Sequence, residues 1–137
     1  MTNSGAVLIL STYPIAEPRH GGQVRLLNIK RVFEEAGWPV VSVAVYPQES
    51  YAKAQTGRCD IPFPVDSPYR LFEGRNIPFV TDLLSGDFAA AEDGGLPAVL
   101  AQMPPRVAII HVEQPWLWPL VEKLRACPSC ASAVVVY

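Results

Sequence analysis

The residues Arg19, His20, Gly21 and Gly22 place a cation, an imidazole and two glycines at the start of a helix-like segment. The first N–H groups of a helix lack intrahelical partners and carry partial positive charge, so they suit an anion. Glycines without Cβ atoms let a ligand approach the backbone closely. The segment therefore predicts a cradle for a phosphate or a carboxylate. The alternative is a tight turn that needs one glycine with a positive φ.

A second group of candidate residues follows the apolar run that begins at Val107. Here His111, Glu113 and Trp116 lie within six positions. Environment, more than residue type, decides whether such a carboxylate takes part in chemistry. The alternatives are a helix-start acid for Glu113, a hydrogen-bonded core histidine for His111 and a core aromatic for Trp116.

The pair Cys127 and Cys130 has the spacing of a redox or zinc motif. A structural zinc site needs four ligands, and the sequence holds no second CxxC. The pair follows a helix-like segment, whereas a thioredoxin-like pair lies at the N-terminus of a helix that follows a strand. We therefore expect two small thiols in a loop, and neither a metal nor a cofactor.

Strand-like and helix-like segments alternate along the chain. Buried strands are predicted at residues 6–12, 39–47, 107–112 and 132–137, and helices at about 22–36 and 115–126. In the first helix, Leu26, Ile29, Val32, Phe33 and Ala36 form one apolar stripe, and Gly37 occupies the position of a left-handed cap. This order predicts an α/β domain with a mainly parallel sheet, in which ligands bind beyond the carboxyl ends of the strands.

The region between residues 48 and 105 is less regular. A short strand is predicted near residues 59–65, helical turns at 67–74, a helix at about 77–94 weakened by Gly86, and another helix at about 95–104 with Pro97 in its first turn. A long irregular segment of this kind is usually functional or poorly ordered.

Length and composition limit the classes of function. The 137 residues suffice for one domain, and a net charge of −2 argues against a nucleic-acid-binding face. The chain has neither a run of about 20 apolar residues nor a basic segment before its first strand, so we expect a cytoplasmic protein. Because a parallel strand normally continues into a loop and a helix, we also expect residues 1–137 to be a piece of a longer protein.

The chain resembles the N-terminal lobe of a GT-B glycosyltransferase, especially the retaining family-four enzymes. The resemblance rests on a strand, a Pro- and Gly-rich loop, a helix that starts at Gly21-Gly22, and the later sequence HVEQP with its helix. It implies a three-layer Rossmann-like domain that forms the acceptor-side lobe of a two-lobe enzyme. Such an enzyme moves a sugar from a nucleotide-sugar donor to an acceptor hydroxyl. The C-terminal lobe would hold most of the donor, so the fragment alone would be inactive.

The resemblance also implies roles for individual residues. Gly21 and Gly22 match the loop that approaches the donor phosphates, and Glu113 takes the place of a histidine found near the reacting sugar in many members. Glu113 would position an acceptor hydroxyl or stabilise positive charge on the sugar ring. Arg19, His20, His111 and Trp116 would line the acceptor cleft.

Two other classes of function fit the same fold. One is a nucleotide-sugar epimerase lobe, and the other is a non-catalytic α/β binding or interaction domain. The last strand could pair with a second copy through its free edge, which would give a dimer. Many enzymes of the family that the chain resembles use lipid-linked acceptors, so the resemblance makes a peripheral membrane contact a further option, although no basic amphipathic helix is evident.

Overall fold

A computed structural model describes residues 4–71, 77 and 80–137 of the chain. The strands form one parallel sheet in the order β3-β2-β1-β4-β5. They are β1 (Ala6–Ser11), β2 (Val40–Pro47), β3 (Ile61–Phe63), β4 (Val107–Val112) and β5 (Val134–Val136). The helices are α1 (Gly21–Glu35), α2 (Val80–Ala90), α3 (Leu96–Ala101) and α4 (Trp118–Arg125).

Helices cover the sheet on two sides. Alternate residues of β1 point to opposite faces, as in any strand. Val7 and Ile9 pack with Leu26 of α1, whereas Leu8 and Leu10 belong to the larger core formed with α2, α3 and α4. The chain is therefore a three-layer, Rossmann-like α/β domain, as the sequence predicts.

The direction of the connections changes between β1 and β4. The chain leaves β1 through α1 and enters β2 on one side, and it leaves β4 through α4 and enters β5 on the other. Because both crossovers turn in the same hand, their helices lie on opposite faces of the sheet. The loops that follow β1 and β4 diverge at this point, which is where open α/β sheets bind ligands.

The C-terminal end of α1 follows the predicted capping geometry. Gly37 has a φ of 91°, and the N–H groups of Gly37 and Trp38 donate to the carbonyls of Glu34 and Phe33, each at 3.0 Å. This pair of bonds is the Schellman motif, which needs a left-handed residue at its centre.

The predicted apolar stripe of α1 is only partly buried. Leu26 is buried and Ile29 and Phe33 are half-buried, but Val32 is 64% exposed and Ala36 is also exposed. One helix lies on this face of the sheet, so the side of α1 that carries Val32 has no neighbouring helix among the described residues.

The helix α2 continues through Gly86, contrary to the predicted weak point. Gly86 is buried, and a Cβ atom built there would lie 1.9 Å from the carbonyl oxygen of Trp116. The glycine therefore allows α2 to contact the backbone that follows β4.

Other element boundaries differ from the predictions. The segment after β4 forms a 3-10 turn at Pro115–Leu117 before α4 begins, and β5 has three residues where six were predicted. The strand β3 has three residues, with Pro62 inside it and Pro64 directly after it, and neither proline has an N–H for the ladder. The helical turns predicted for residues 67–74 fall partly outside the described residues.

Candidate functional site

Two loops meet at the carboxyl edge of the sheet. The N–H of Thr12 after β1 donates to Oε1 of Gln114 after β4 at 2.9 Å, and the N–H of Glu113 donates to the carbonyl of Leu10 at 2.9 Å. These bonds hold together segments about 100 positions apart in the sequence. We call the group at this edge the switch-point site. It comprises Tyr13, His20, Gly21, Gly22, Arg25, His111, Glu113 and Gln114.

Glu113 is the carboxylate of the switch-point site. Its side chain is 3% exposed, and Oε1 forms an ion pair with Arg25 of α1, whose own side chain is 61% exposed. The second oxygen, Oε2, is buried and has no hydrogen-bond partner among the described residues. Glu113 therefore has one oxygen held by a guanidinium and one free to accept a hydrogen bond. The 3-10 turn at Pro115–Leu117 is capped by Gln114, so Glu113 lies one residue before the cap and outside the turn. Glu113 is therefore not a helix-start acid, which was the alternative role for it.

His111 lies on the same side of the sheet as α1. It pairs in register with Ile9, whose side chain contacts the α1 core. Burial lowers the pKa of His111, and the positive charge of Arg25 lowers it further. The imidazole is therefore neutral near pH 7, and its buried Nε2 has no hydrogen-bond partner among the described residues. The alternative of a hydrogen-bonded core histidine therefore does not hold for Nε2 of His111.

Unpartnered buried polar atoms concentrate at the end of β4 and in the segment that follows it. Four side-chain atoms of this kind occur in the described part of the chain, and three of them are His111 Nε2, Glu113 Oε2 and Trp116 Nε1. Leaving such a group unpaired costs about 1–3 kcal/mol. Trp116 packs against the larger core, on the α2 side, so its nitrogen is separate from the other two. The concentration of unpaired groups is typical of a site that binds a ligand.

The N-terminus of α1 is built by a reciprocal cap. Nδ1 of His20 accepts from the N–H of Gln23 at 3.3 Å, and Oε1 of Gln23 accepts from the N–H groups of His20 at 3.3 Å and Arg19 at 2.8 Å. The amide of Gln23 also donates to the carbonyl of Pro14 at 2.6 Å. The histidine ring is therefore a capping group, and the spacing of His20 and Gln23 is a variant of the capping box.

The two glycines differ in what they permit. Neither has a positive φ, so the tight-turn alternative is wrong. A Cβ on Gly22 would lie 2.8 Å from the hydroxyl of Tyr13, whereas a Cβ on Gly21 would meet nothing within 4 Å. Gly22 thus makes room for Tyr13, and Gly21 leaves the first N–H groups of the helix open to a ligand.

The remaining predicted residues lie around this edge. Arg19 is exposed, and its guanidinium pairs with Glu17 at 3.1 Å. The ring of Tyr13 meets that of His20 edge to face at 4.9 Å, and burial raises the pKa of the Tyr13 phenol while Arg25 opposes the rise. The structure thus brings Gly21, Gly22 and Glu113 to one edge through α1, and places the half-buried Trp116 apart from them, against the core on the α2 side.

Sequence reasoning missed Arg25, Gln23 and Gln114. Arg25 lies four positions after Gly21, so the helical period places it one turn further along the same side of α1. That periodicity is the signal that could have identified it. The hydrogen bond from Thr12 to Gln114 joins distant segments and leaves no trace in the local sequence.

The three cysteines are free thiols. Cys127 precedes a 3-10 turn at Pro128–Cys130, and burial raises the pKa of the Cys130 thiol. In the part of the chain that the structure describes, no group of three or more His, Cys, Asp or Glu side chains is arranged to hold a metal ion.

Comparisons of the chain with protein-family models, with curated proteins and with solved structures give no match. Over the residues described here, no helix is both long enough and apolar enough to cross a bilayer. What the structure defines is a Rossmann-like α/β domain with a polar, partly buried site at its topological switch point.

Proposed function

We propose that this chain is the N-terminal, acceptor-side lobe of a glycosyltransferase that moves a sugar from a nucleotide-sugar donor to an acceptor hydroxyl. The observation that carries the proposal is the state of Glu113. Its carboxylate is buried at the switch point, is fixed by Arg25 through one oxygen and leaves the other oxygen unpaired. A hydroxyl is a donor of the kind that this oxygen lacks.

The neighbouring groups suit the two parts of such a reaction. The open N–H groups at Gly21 suit the negative charge of donor phosphates. The unpaired oxygen of Glu113 would accept the proton of an acceptor hydroxyl, either in a hydrogen bond or, during transfer, as a general base. The neutral imidazole of His111 would offer a hydrogen bond without adding charge. Most of the donor site would belong to a C-terminal lobe.

Arg25 would act through Glu113. By holding Oε1 it fixes the direction of Oε2, and its positive charge favours the ionised carboxylate. Arg25 is therefore proposed as a positioning residue. Removing it should lower kcat more than it raises KM, because the acceptor oxygen would remain present but be less well aligned.

One observation favours a non-catalytic binding domain as the second candidate. The outer side of α1 exposes Val24 at 46% and Val32 at 64%. An open groove of about 350 Å³ on this helix is lined by Arg25, Asn28, Ile29, Val32 and Phe33. An apolar helix surface of this type is typical of a protein–protein contact. In that case the ion pair of Glu113 with Arg25 would serve only to fix α1 against β4.

A donor panel with the protein encoded by the complete gene separates the two candidates. Release of nucleotide is measured for a series of nucleotide sugars, for wild type and for Glu113→Gln. The matched control is Glu92→Gln, an exposed position away from the site. We expect one donor to be turned over, with the loss confined to Glu113→Gln. Absence of turnover and of nucleotide binding with every donor would contradict the proposal and favour the binding domain.

A further inference from the structure

A cleft that shares no lining residue with the switch-point site lies beside α1. It is a cleft of about 440 Å³ between α1, the first half of β2 and the loop at residues 57–60. Ile15, Leu27 and Val40 form an apolar wall, and Lys30, Arg31 and Arg58 also line the cleft. We call it the β2 cleft.

The β2 cleft exists because no helix follows β2. Residues 48–60 connect β2 to β3 through two 3-10 turns, and β3 pairs only with residues 45–47 of β2. The α1 face of the sheet beside Val40 and Ser42 is therefore left without a covering helix. If another helix of the protein covered this part of the sheet, the residues that line the cleft would be expected to be apolar.

The lining of the cleft is instead cationic. Lys30, Arg31 and Arg58 face a single carboxylate, Asp60. Asp60 accepts from the N–H of Gly57 at 2.6 Å and of Ala44 at 2.9 Å, so both of its oxygens are engaged. This imbalance stands out in a chain whose net charge is −2.

The two arginines are available for a ligand. Arg31 and Arg58 are exposed, and neither forms a hydrogen bond or an ion pair with any described residue, whereas Lys30 lies 3.8 Å from Glu34. A guanidinium binds a phosphate oxygen pair through two parallel N–H bonds, which an ammonium cannot do. The hydroxyl of Ser42 in the same lining adds a neutral donor.

We propose that the β2 cleft binds a small molecule that carries a phosphate or diphosphate. Arg31 and Arg58 would hold the phosphate oxygens, Lys30 would add charge, and the wall at Ile15 and Leu27 would contact the organic part. The site is separate from the switch-point site, so it does not depend on the proposed transferase function.

The test measures binding of pyrophosphate and of a nucleoside diphosphate by calorimetry, with the full chain. The variant is the double substitution Arg31→Gln and Arg58→Gln. The control is Lys123→Gln with Arg125→Gln, which removes the same charge from exposed positions on α4. We expect Kd to rise at least about tenfold in the first variant, because both guanidinium groups that bind the phosphate oxygens are lost. The control should keep the wild-type Kd.

The rate at which Cys59 is alkylated gives an independent test of where the ligand binds. Cys59 lines the β2 cleft and is half-buried, as is Cys127 near α4. A bound phosphate compound should slow alkylation of Cys59 by iodoacetamide and leave the rate at Cys127 unchanged. Equal protection of both thiols, or of neither at saturation, would overturn the assignment.

Vesicles distinguish the source of the phosphate. Sedimentation with phosphatidylcholine vesicles, with and without phosphatidic acid, shows whether a lipid headgroup is the ligand. Capture that requires phosphatidic acid and is lost in the arginine variant supports the cleft with a lipid-borne phosphate. The proposal is overturned if wild type binds neither the free anions nor the vesicles, or if the arginine variant binds as wild type does.

Discussion

Replacing Gly86 with alanine tests the packing between α2 and the loop that carries the candidate site. In a helix interior this substitution ordinarily stabilises by up to about 1 kcal/mol. Here the added Cβ would lie 1.9 Å from the carbonyl oxygen of Trp116 and 2.9 Å from its carbonyl carbon. Both are backbone atoms, so no rotation of a side chain can relieve the contact. Either α2 or the 3-10 turn must move by more than 1 Å.

The expected cost follows from overpacking in well-packed cores, typically about 1–3 kcal/mol and occasionally more. Because the clash is with backbone, we expect about 3 kcal/mol, a large part of the total of about 5–15 kcal/mol for a domain. The melting temperature should fall by roughly 10 °C.

The assay is urea unfolding followed by circular dichroism, with Gly21→Ala as the matched control. Gly21 is also helical, but an added Cβ there meets nothing within 4 Å, so this variant should be as stable as wild type or slightly more stable. If Gly86→Ala proves as stable as Gly21→Ala, the close approach of α2 to Trp116 is wrong.

Three further substitutions test other contacts. Replacing Gln23 with leucine should cost about 2 kcal/mol in urea unfolding, because it removes the side-chain half of the α1 cap, which holds the N–H groups of Arg19 and His20, and unpairs the carbonyl of Pro14. The buried Arg70 donates two hydrogen bonds to the carboxylate of Glu49, of 2.9 and 3.0 Å. Replacing Arg70 with methionine should lower the free energy of unfolding by about 3 kcal/mol, because the partner carboxylate loses its cation. Equal stability of that variant and wild type in the same assay would contradict a stabilising role for the ion pair. Because the pKa of His111 is lowered in the folded state, the unfolded chain binds more protons just below pH 6.5, and the stability of wild type should fall as the pH drops through that value. His111→Gln should make that part of the pH dependence disappear when urea midpoints are compared at pH 7.5 and 5.5.

The central layers of the fold could be predicted from the sequence because their patterns are local. The apolar run at β1 is buried on both faces, and β4 spans the predicted residues 107–112. The end of α1 was equally readable, since only a glycine at Gly37 fits the left-handed cap at low cost. The parallel pairing then follows from the alternation of strands and helices.

The middle of the chain could not be predicted at the same level, because its structure depends on distant contacts. Gly86 is unfavourable for an isolated helix, and it is tolerated in α2 because it makes room for the backbone at Trp116. Val32 belongs to a regular apolar stripe, yet it is exposed because no described helix lies beside α1 on that face. Periodicity shows which residues share a side of a helix, but it does not show what covers them.

Only part of the candidate site could be predicted from the sequence. Gly21 and Glu113 stand out by their types and by their positions after strands. Arg25, the ion-pair partner of Glu113, lies 88 positions away in the sequence and is one of several charged residues on α1. The structure adds a capping role for His20 through its bonds with Gln23, and its place in an acceptor cleft stays a prediction.

The measurement that tests the central claim most directly is kcat of Glu113→Gln relative to Glu92→Gln, in the protein encoded by the complete gene and with the nucleotide sugar that wild type uses. We predict a loss of about 10²–10⁴-fold for Glu113→Gln, the range of a general base, and no change for Glu92→Gln. Wild-type turnover that survives unchanged in Glu113→Gln would contradict a functional role for the unpaired carboxylate oxygen at the switch point.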